Sequence, residues 1–195
     1  MSKNRVSKVI NSKKLLQFIF YPMLLFLYIF NVSGQDEKVS YTVYSNESEG
    51  FSVRVPKGWH SVDQHNEVVI YITVETPQND PVHAFNIQKI PVTFSEEESS
   101  LAAIDFIAQQ FYDQLSGIEG FGLITDKYIS INNRKIREMI LSFRYDGVTL
   151  IQSHTILYHN GTVFVLIYTA DERVYNAQIH KMALSSFSFD KRSLF

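Results

Sequence analysis

Cysteine is absent from all 195 residues. That excludes a disulfide framework, a thiol nucleophile, a thiolate metal site and a lipid-modified N-terminal cysteine. Stability must therefore come from core packing. Tryptophan occurs once, at position 59, and each of the five prolines interrupts a segment: Pro22 an apolar run, Pro56 and Pro91 the ends of alternating stretches, and Pro77 and Pro81 a polar cluster. A basic excess is also missing. Outside the first 34 residues, 13 Lys+Arg face 20 Asp+Glu, a formal charge of about −7, and nucleic acid is an unsuitable partner for such a chain.

The basic residues are concentrated where a leader would need them. Lys3, Arg5, Lys8, Lys13 and Lys14 precede an apolar run from Leu15 to Phe30, and Val32-Ser33-Gly34 follows. This order predicts a signal peptide over residues 1–34, cut before Gln35. A run of this length, broken by Gln17 and Pro22, falls short of the roughly 17 to 25 residues a spanning helix needs. The expected location is periplasmic or secreted, or membrane-anchored if the leader stays uncut. Residues 35–40 read as a short polar lead-in, 41–189 as one domain of ordinary size, and 190–195 as a tail.

Alternation predicts a first hairpin with one face buried, with Tyr41 and Val43 on one strand and Phe51, Val53 and Val55 on the next. Pro56 cannot donate to a ladder and Gly58 permits a sharp change of direction, so Trp59 is swung round a corner. There the indole is expected to fold back over the core; the rival reading exposes it to a partner. Val68 to Val74 and His83 to Ile90 read as further strands. Ser95 and Glu98 form a capping box, and Leu101, Ile104, Ile107, Ala108, Phe111 and Leu115 recur at helical spacing, with Gly117 as the expected C-cap.

Four strands follow, over Leu123–Ile131, Ile136–Tyr145, Val148–Tyr158 and Thr162–Thr169. Asp146-Gly147 and Asn160-Gly161 suit type I′ turns, which makes this an antiparallel meander. Val163 to Ile167 has no polar face and belongs in the middle of the sheet, with helices on each side. Asp171 is expected to cap a second helix through Val174, Tyr175, Ala177, Ile179 and Met182. The predicted class is α+β, an α/β/α sandwich with a central antiparallel sheet.

Gly50-Phe51-Ser52-Val53-Arg54-Val55-Pro56-Lys57-Gly58-Trp59, the closing helix with Ser186-Phe187-Ser188-Phe189, and the order of elements between them resemble the Mog1/PsbP-like family, which includes DcrB-type bacterial envelope proteins. The resemblance covers residues 41–189 and implies a domain that binds rather than catalyses. Known members include an extrinsic subunit of the photosynthetic oxygen-evolving complex, a regulator of a nuclear-import GTPase, and secretion chaperones. Export argues against the last two roles. Many envelope members look like lipoproteins, and the missing cysteine departs from that pattern. No family-wide catalytic residue carries over.

Chemistry outside that resemblance is sparse. His60-Ser61-Val62-Asp63-Gln64-His65-Asn66-Glu67 brings two imidazoles and two carboxylates together, the N/O ligands divalent metals favour, but at no metal-motif spacing. A solvated loop is the better reading. His154 shares a strand face with Leu150 and Ile156 and reads as a core histidine. Gly117 to Gly122 imitates a phosphate loop but follows a helix instead of preceding one. No Gly-x-Ser-x-Gly elbow occurs.

The expected function is therefore a non-enzymatic accessory domain that binds another envelope protein and needs no cofactor. The candidate partner-binding residues are Trp59, His60, Asp63, His65, Pro77 and Asn79, on loops that a rigid scaffold could present. The alternatives are an apolar ligand or lipid held between the helix and the sheet and, less favoured, a metal-dependent hydrolase using residues 60–67.

Overall fold

A computed structural model describes residues 39–66, 69–73, 83–92, 100–131 and 134–189. Its strands are β1 (Tyr41–Asn46), β2 (Phe51–Pro56), β3 (His60–Asn66), β4 (Val69–Thr73), β5 (His83–Pro91), β6 (Gly122–Ile131), β7 (Arg134–Tyr145), β8 (Val148–His159), β9 (Thr162–Asp171) and β10 (Ser188–Phe189). Two helices are described, α1 (Ser100–Leu115) and α2 (Ala177–Ser186). Seven strands form one sheet in the order β3-β4-β5-β9-β8-β7-β6, and β1-β2-β10 form a second. All described pairings are antiparallel.

The apolar stretch in β9 takes the central place, between β5 and β8. Its odd residues Val163, Val165 and Ile167 pack under α1 with Met139, Leu141, Phe143 and Ile156. Phe164, Leu166, Tyr168 and Ala170 pack on the other face with Phe51, Val53, Val55, Ile179, Ala183 and Leu184. The period of two thus builds two cores, one on each face of the sheet. The underside of α1 consists of Ile104, Ile107, Ala108, Phe111 and Leu115, all buried at helical spacing. These side chains fill the space where an apolar ligand would have to lie.

The predicted sandwich is present, with the small sheet as an addition. The layer carrying α2 also contains β1, β2 and β10, which covers the sheet face opposite α1. Both meander turns have positive φ at their two central residues, 48° and 78° at Asp146-Gly147 and 46° and 76° at Asn160-Gly161. That is the type I′ geometry these pairs suit.

Several local expectations are corrected. Val43 pairs with Arg54 on the outer face and is 60% exposed, while Tyr44, opposite Val53, packs on the core. Gly117 does not take the left-handed conformation; the chain leaves α1 with the Ile118 N–H donating to the Leu115 carbonyl, and positive φ falls at Gly120. Asp171 does not cap a helix. It ends β9, and its carboxylate accepts from the Arg173 backbone N–H and guanidinium. The cap of α2 is Asn176, whose side chain accepts from the Gln178 N–H at 2.9 Å, so Val174 and Tyr175 lie before the helix. The Ser95–Glu98 capping box lies outside the described residues.

Phe51 is the point where the small sheet meets the large one, in ring contact with Tyr44, Phe164 and Phe187. Phe51→Ala is expected to destabilise the fold by about 3–5 kcal/mol, read as a lowered midpoint in urea unfolding with an unchanged slope.

Candidate functional site

Among the expected site residues, only Trp59 has a described side chain. Pro56 ends β2, Gly58 takes φ +90°, and the Trp59 backbone N–H donates to the Pro56 carbonyl at 3.2 Å. The corner is real, and it turns the half-buried indole onto the core formed by β2, β5, β9 and α2. Its ring lies 6.4 Å from that of Tyr168. The indole packs on the core and stays half exposed.

His60, Asp63 and His65 do not lie on a loop. They belong to β3, the edge strand paired with β4, with a register irregularity between Val62 and Asn66. The segment is too polar to be recognised as a strand, and it pairs with β4 at His60, Ser61, Val62 and Asn66. Pro77 and Asn79 lie outside the described residues, as do the β3 side chains. Among the described residues no group of three His, Asp or Glu gathers as metal ligands.

Two buried histidines flank β8 on opposite faces. Under α1, His154 is fully buried against the Phe111 ring, whose centroid is 4.7 Å away. Its Nε2 lies 2.6 Å from Gln152 Oε1, and the Gln152 amide donates to Thr169 Oγ1 at 2.8 Å. An amide oxygen only accepts, so Nε2 carries the proton and Nδ1 presents a bare lone pair to an apolar wall. Burial, with a smaller contribution from His180, pushes the His154 pKa down to about 3.

Under α2, His180 Nε2 sits 2.8 Å from Thr155 Oγ1, and its Nδ1 is 3.8 Å from Glu138 Oε1. Thr-His-Glu is the order of a nucleophilic relay. The geometry does not make one. Thr155 is fully buried, the His–Glu separation exceeds a hydrogen bond, and Lys127 takes Glu138 Oε2 at 3.0 Å. Burial outweighs the carboxylate and lowers the His180 pKa to about 4. Both groups hold the layers in register.

What the surface offers lies elsewhere. Of six exposed large apolar side chains among the described residues, five are on α1 or β6: Phe106, Tyr112, Leu123, Ile124 and Tyr128. Two contacts bring α1 toward β6, one to the residue before the strand and one to the strand itself. Tyr112 meets Phe121 edge-on at 5.4 Å, and the Tyr128 hydroxyl donates to Asp105. Arg137, on neighbouring β7, binds Asp126 through Nε and Nη2 at 2.8 and 2.7 Å and Asp105 through Nη1 at 2.7 Å. One guanidinium thus serves two carboxylates, leaving the strip net negative. The hydrogen bonds from Arg137 hold the Asp126 carboxyl below the usual range, and those carboxylates raise the Arg137 pKa.

The expected loop sites give no hint of this strip. The available signal was Asp126-Lys127 in the middle of a strand, together with Asp105 beside Phe106 on a helix. Which strand of the meander would remain an edge is a property of the assembled sheet.

No sequence-family model matches the chain, and no curated protein matches it by sequence. Solved structures do. The solution structure of PsbP (CyanoP) from the cyanobacterium Synechocystis superposes with a TM-score of 0.55 at 16% identity, covering 82% of this chain and 98% of that one. A Bacteroides thetaiotaomicron protein superposes with a TM-score of 0.54 at 12% identity, covering 78% of this chain and 49% of that one. The class defined by this fold is the PsbP-like α+β sandwich. The likeness to PsbP covers nearly the whole of that protein.

Two predictions follow from this geometry. Trp59→Ala should destabilise the fold by about 3 kcal/mol through lost packing, whereas Trp59→Phe should keep most of the stability; thermal melts of the two variants check this. His154 and His180 have native pKa values below the ordinary histidine value of 6.5, so below that pH the unfolded state binds the extra protons. Their contribution is present above about pH 6.5 and is lost as pH falls toward 4, at up to about 1.4 kcal/mol per pH unit for each. Urea unfolding across pH 7 to 4 should show this slope, and His154→Phe should reduce it.

Proposed function

We propose that this chain is an exported, non-enzymatic PsbP-like accessory domain that binds another protein of the cell envelope. The observation that carries the reading is the contrast between interior and surface. Buried polar side chains at β8, β9 and α2 bond to one another, while five of the six large apolar side chains left exposed among the described residues are on α1 or β6. A reaction would need a reactive group in reach of a substrate; a patch rimmed by polar groups suits association.

Three things support this role. The PsbP likeness supports the scaffold, the basic-then-apolar leader supports export, and no helix among the described residues is long and apolar enough to cross a membrane. Packing beneath α1 makes the apolar-ligand reading weaker. The hydrolase reading assumed a loop, whereas His60 to Asn66 belong to an edge strand.

The test is crosslinking in intact cells of the protein carrying its own leader and a C-terminal tag, with mass spectrometry of the envelope fraction. We expect one reproducible protein partner, retained in Trp59→Phe. Intact exported protein with no crosslinked partner, together with a small molecule retained in its native mass spectrum, would overturn the reading.

A further inference from the structure

We propose that β6 is an open docking edge that accepts an extended, lysine- or arginine-bearing strand of a partner protein, adding an eighth strand to the sheet. The inference rests on the accessory-domain reading and specifies its surface.

Among the described residues β6 ends the seven-stranded sheet and pairs only with β7. An edge strand leaves a row of backbone N–H and C=O groups unpaired, and natural proteins blunt such edges with proline, bulges or charged side chains. β6 uses little of this. It contains no proline, and its register is regular from Thr125 to Ile131, with the bulge confined to Leu123–Thr125. Its two charges are already neutralised from within, Lys127 by Glu138 at 3.0 Å and Asp126 by Arg137 at 2.7 Å. An incoming strand would meet a ladder without a standing charge to repel it.

The chemistry of the occupant follows from the flank. Ile124 is 56% exposed and Tyr128 45%, giving apolar contacts beside the ladder. On the α1 side of the sheet, half-exposed Asp105 shares Arg137 with Asp126, so two carboxylates face one cation, and exposed Asp113 lies two turns further along the helix. Arg137 already lies over the Tyr128 ring, 5.9 Å from its centroid, so the carboxylates and not the ring are what an added cation would meet. Carboxylates that outnumber their cations favour ammonium or guanidinium groups. The overall acidic balance beyond the leader points the same way. Backbone pairing would supply affinity and alternate side chains the selectivity, as in strand addition generally.

The probe is acetyl-(Val-Lys)4-amide, compared with acetyl-(Val-Glu)4-amide and with the lysine peptide N-methylated at alternate residues, which cannot complete the ladder. Binding is read by fluorescence anisotropy, and the site by amide hydrogen exchange on the folded protein. We expect the lysine peptide to bind about tenfold or more tighter than either control, to protect alternate amides between Thr125 and Ile131, and to weaken several-fold in Asp105→Asn, Asp113→Asn and Ile124→Lys. All three substitutions are at exposed positions, and a thermal melt verifies their folding.

Equal binding of the glutamate or N-methylated peptide would overturn the proposal, as would protection outside β6. Concentration-dependent self-association that protects β6 would overturn it in favour of a second copy. If the peptides fail at β6 while in-cell crosslinking still recovers a partner, the edge is wrong and the accessory role stands. If the peptide binds β6 but cells yield no partner, the accessory role fails instead.

Discussion

The burial of β9 on both faces is the constraint from which the rest of the structure follows. A strand whose side chains are apolar on both sides must be covered twice, and a single helix covers only one side. α1 supplies one cover with Ile104, Ile107, Phe111 and Leu115. The other face needs area across β5, β9 and β8, which α2 alone does not provide. The β1–β2 hairpin brings Phe51, Val53 and Val55, and β10 fastens that hairpin to the chain end through the Ser188–Ser52 and Phe189–Phe51 pairs. The first and last described strands therefore meet because the middle of the sheet requires it.

This arrangement brings polar side chains into the interior at β8, where Gln152, Ser153, His154 and Thr155 are all buried. Successive residues point to opposite faces, so two are committed to α1 and two to the α2 layer. Burying such groups is costly unless each finds a partner. Gln152 serves His154 Nε2 and itself donates to Thr169, His180 serves Thr155, and the Tyr175 hydroxyl serves Ser153. A slip of one residue in β8 would exchange the two sets and leave every donor facing the wrong helix, so these bonds specify register more than they add stability.

Most of the fold was legible because its signals are local. The Asp-Gly and Asn-Gly turns, the helical recurrence from Leu101 to Leu115 and the unbroken apolar run in β9 each state their own geometry. What was not legible depends on pairing. Val43 looked buried by alternation, yet its place opposite Arg54 puts it outside. Residues 60–66 looked like a loop because little in His-Ser-Val-Asp-Gln-His-Asn favours a strand; the β4 ladder holds them extended. Asn176 replaced Asp171 as a cap because Asp171 was already engaged with Arg173. The exposed apolar side chains of α1 and β6 sit on regular elements, where the residue pattern alone does not say which will stay uncovered.

The tryptophan corner and the β6 edge illustrate the same distinction. A lone tryptophan behind a strand breaker attracts a functional reading, but the turn at Gly58 delivers the ring to Tyr168 and the core, where it seals one end of the α2 layer. β6 looks ordinary in sequence, with isoleucines, a tyrosine and a central Asp-Lys pair. Its two charges are drawn sideways and under the sheet, Asp126 toward Arg137 and Lys127 toward Glu138, so neither stands guard over the open edge. Were these pairs present only to stabilise the meander, their partly exposed positions would make them worth little. Their larger structural consequence is a long, regular edge with neutralised charges beside a net negative helix face.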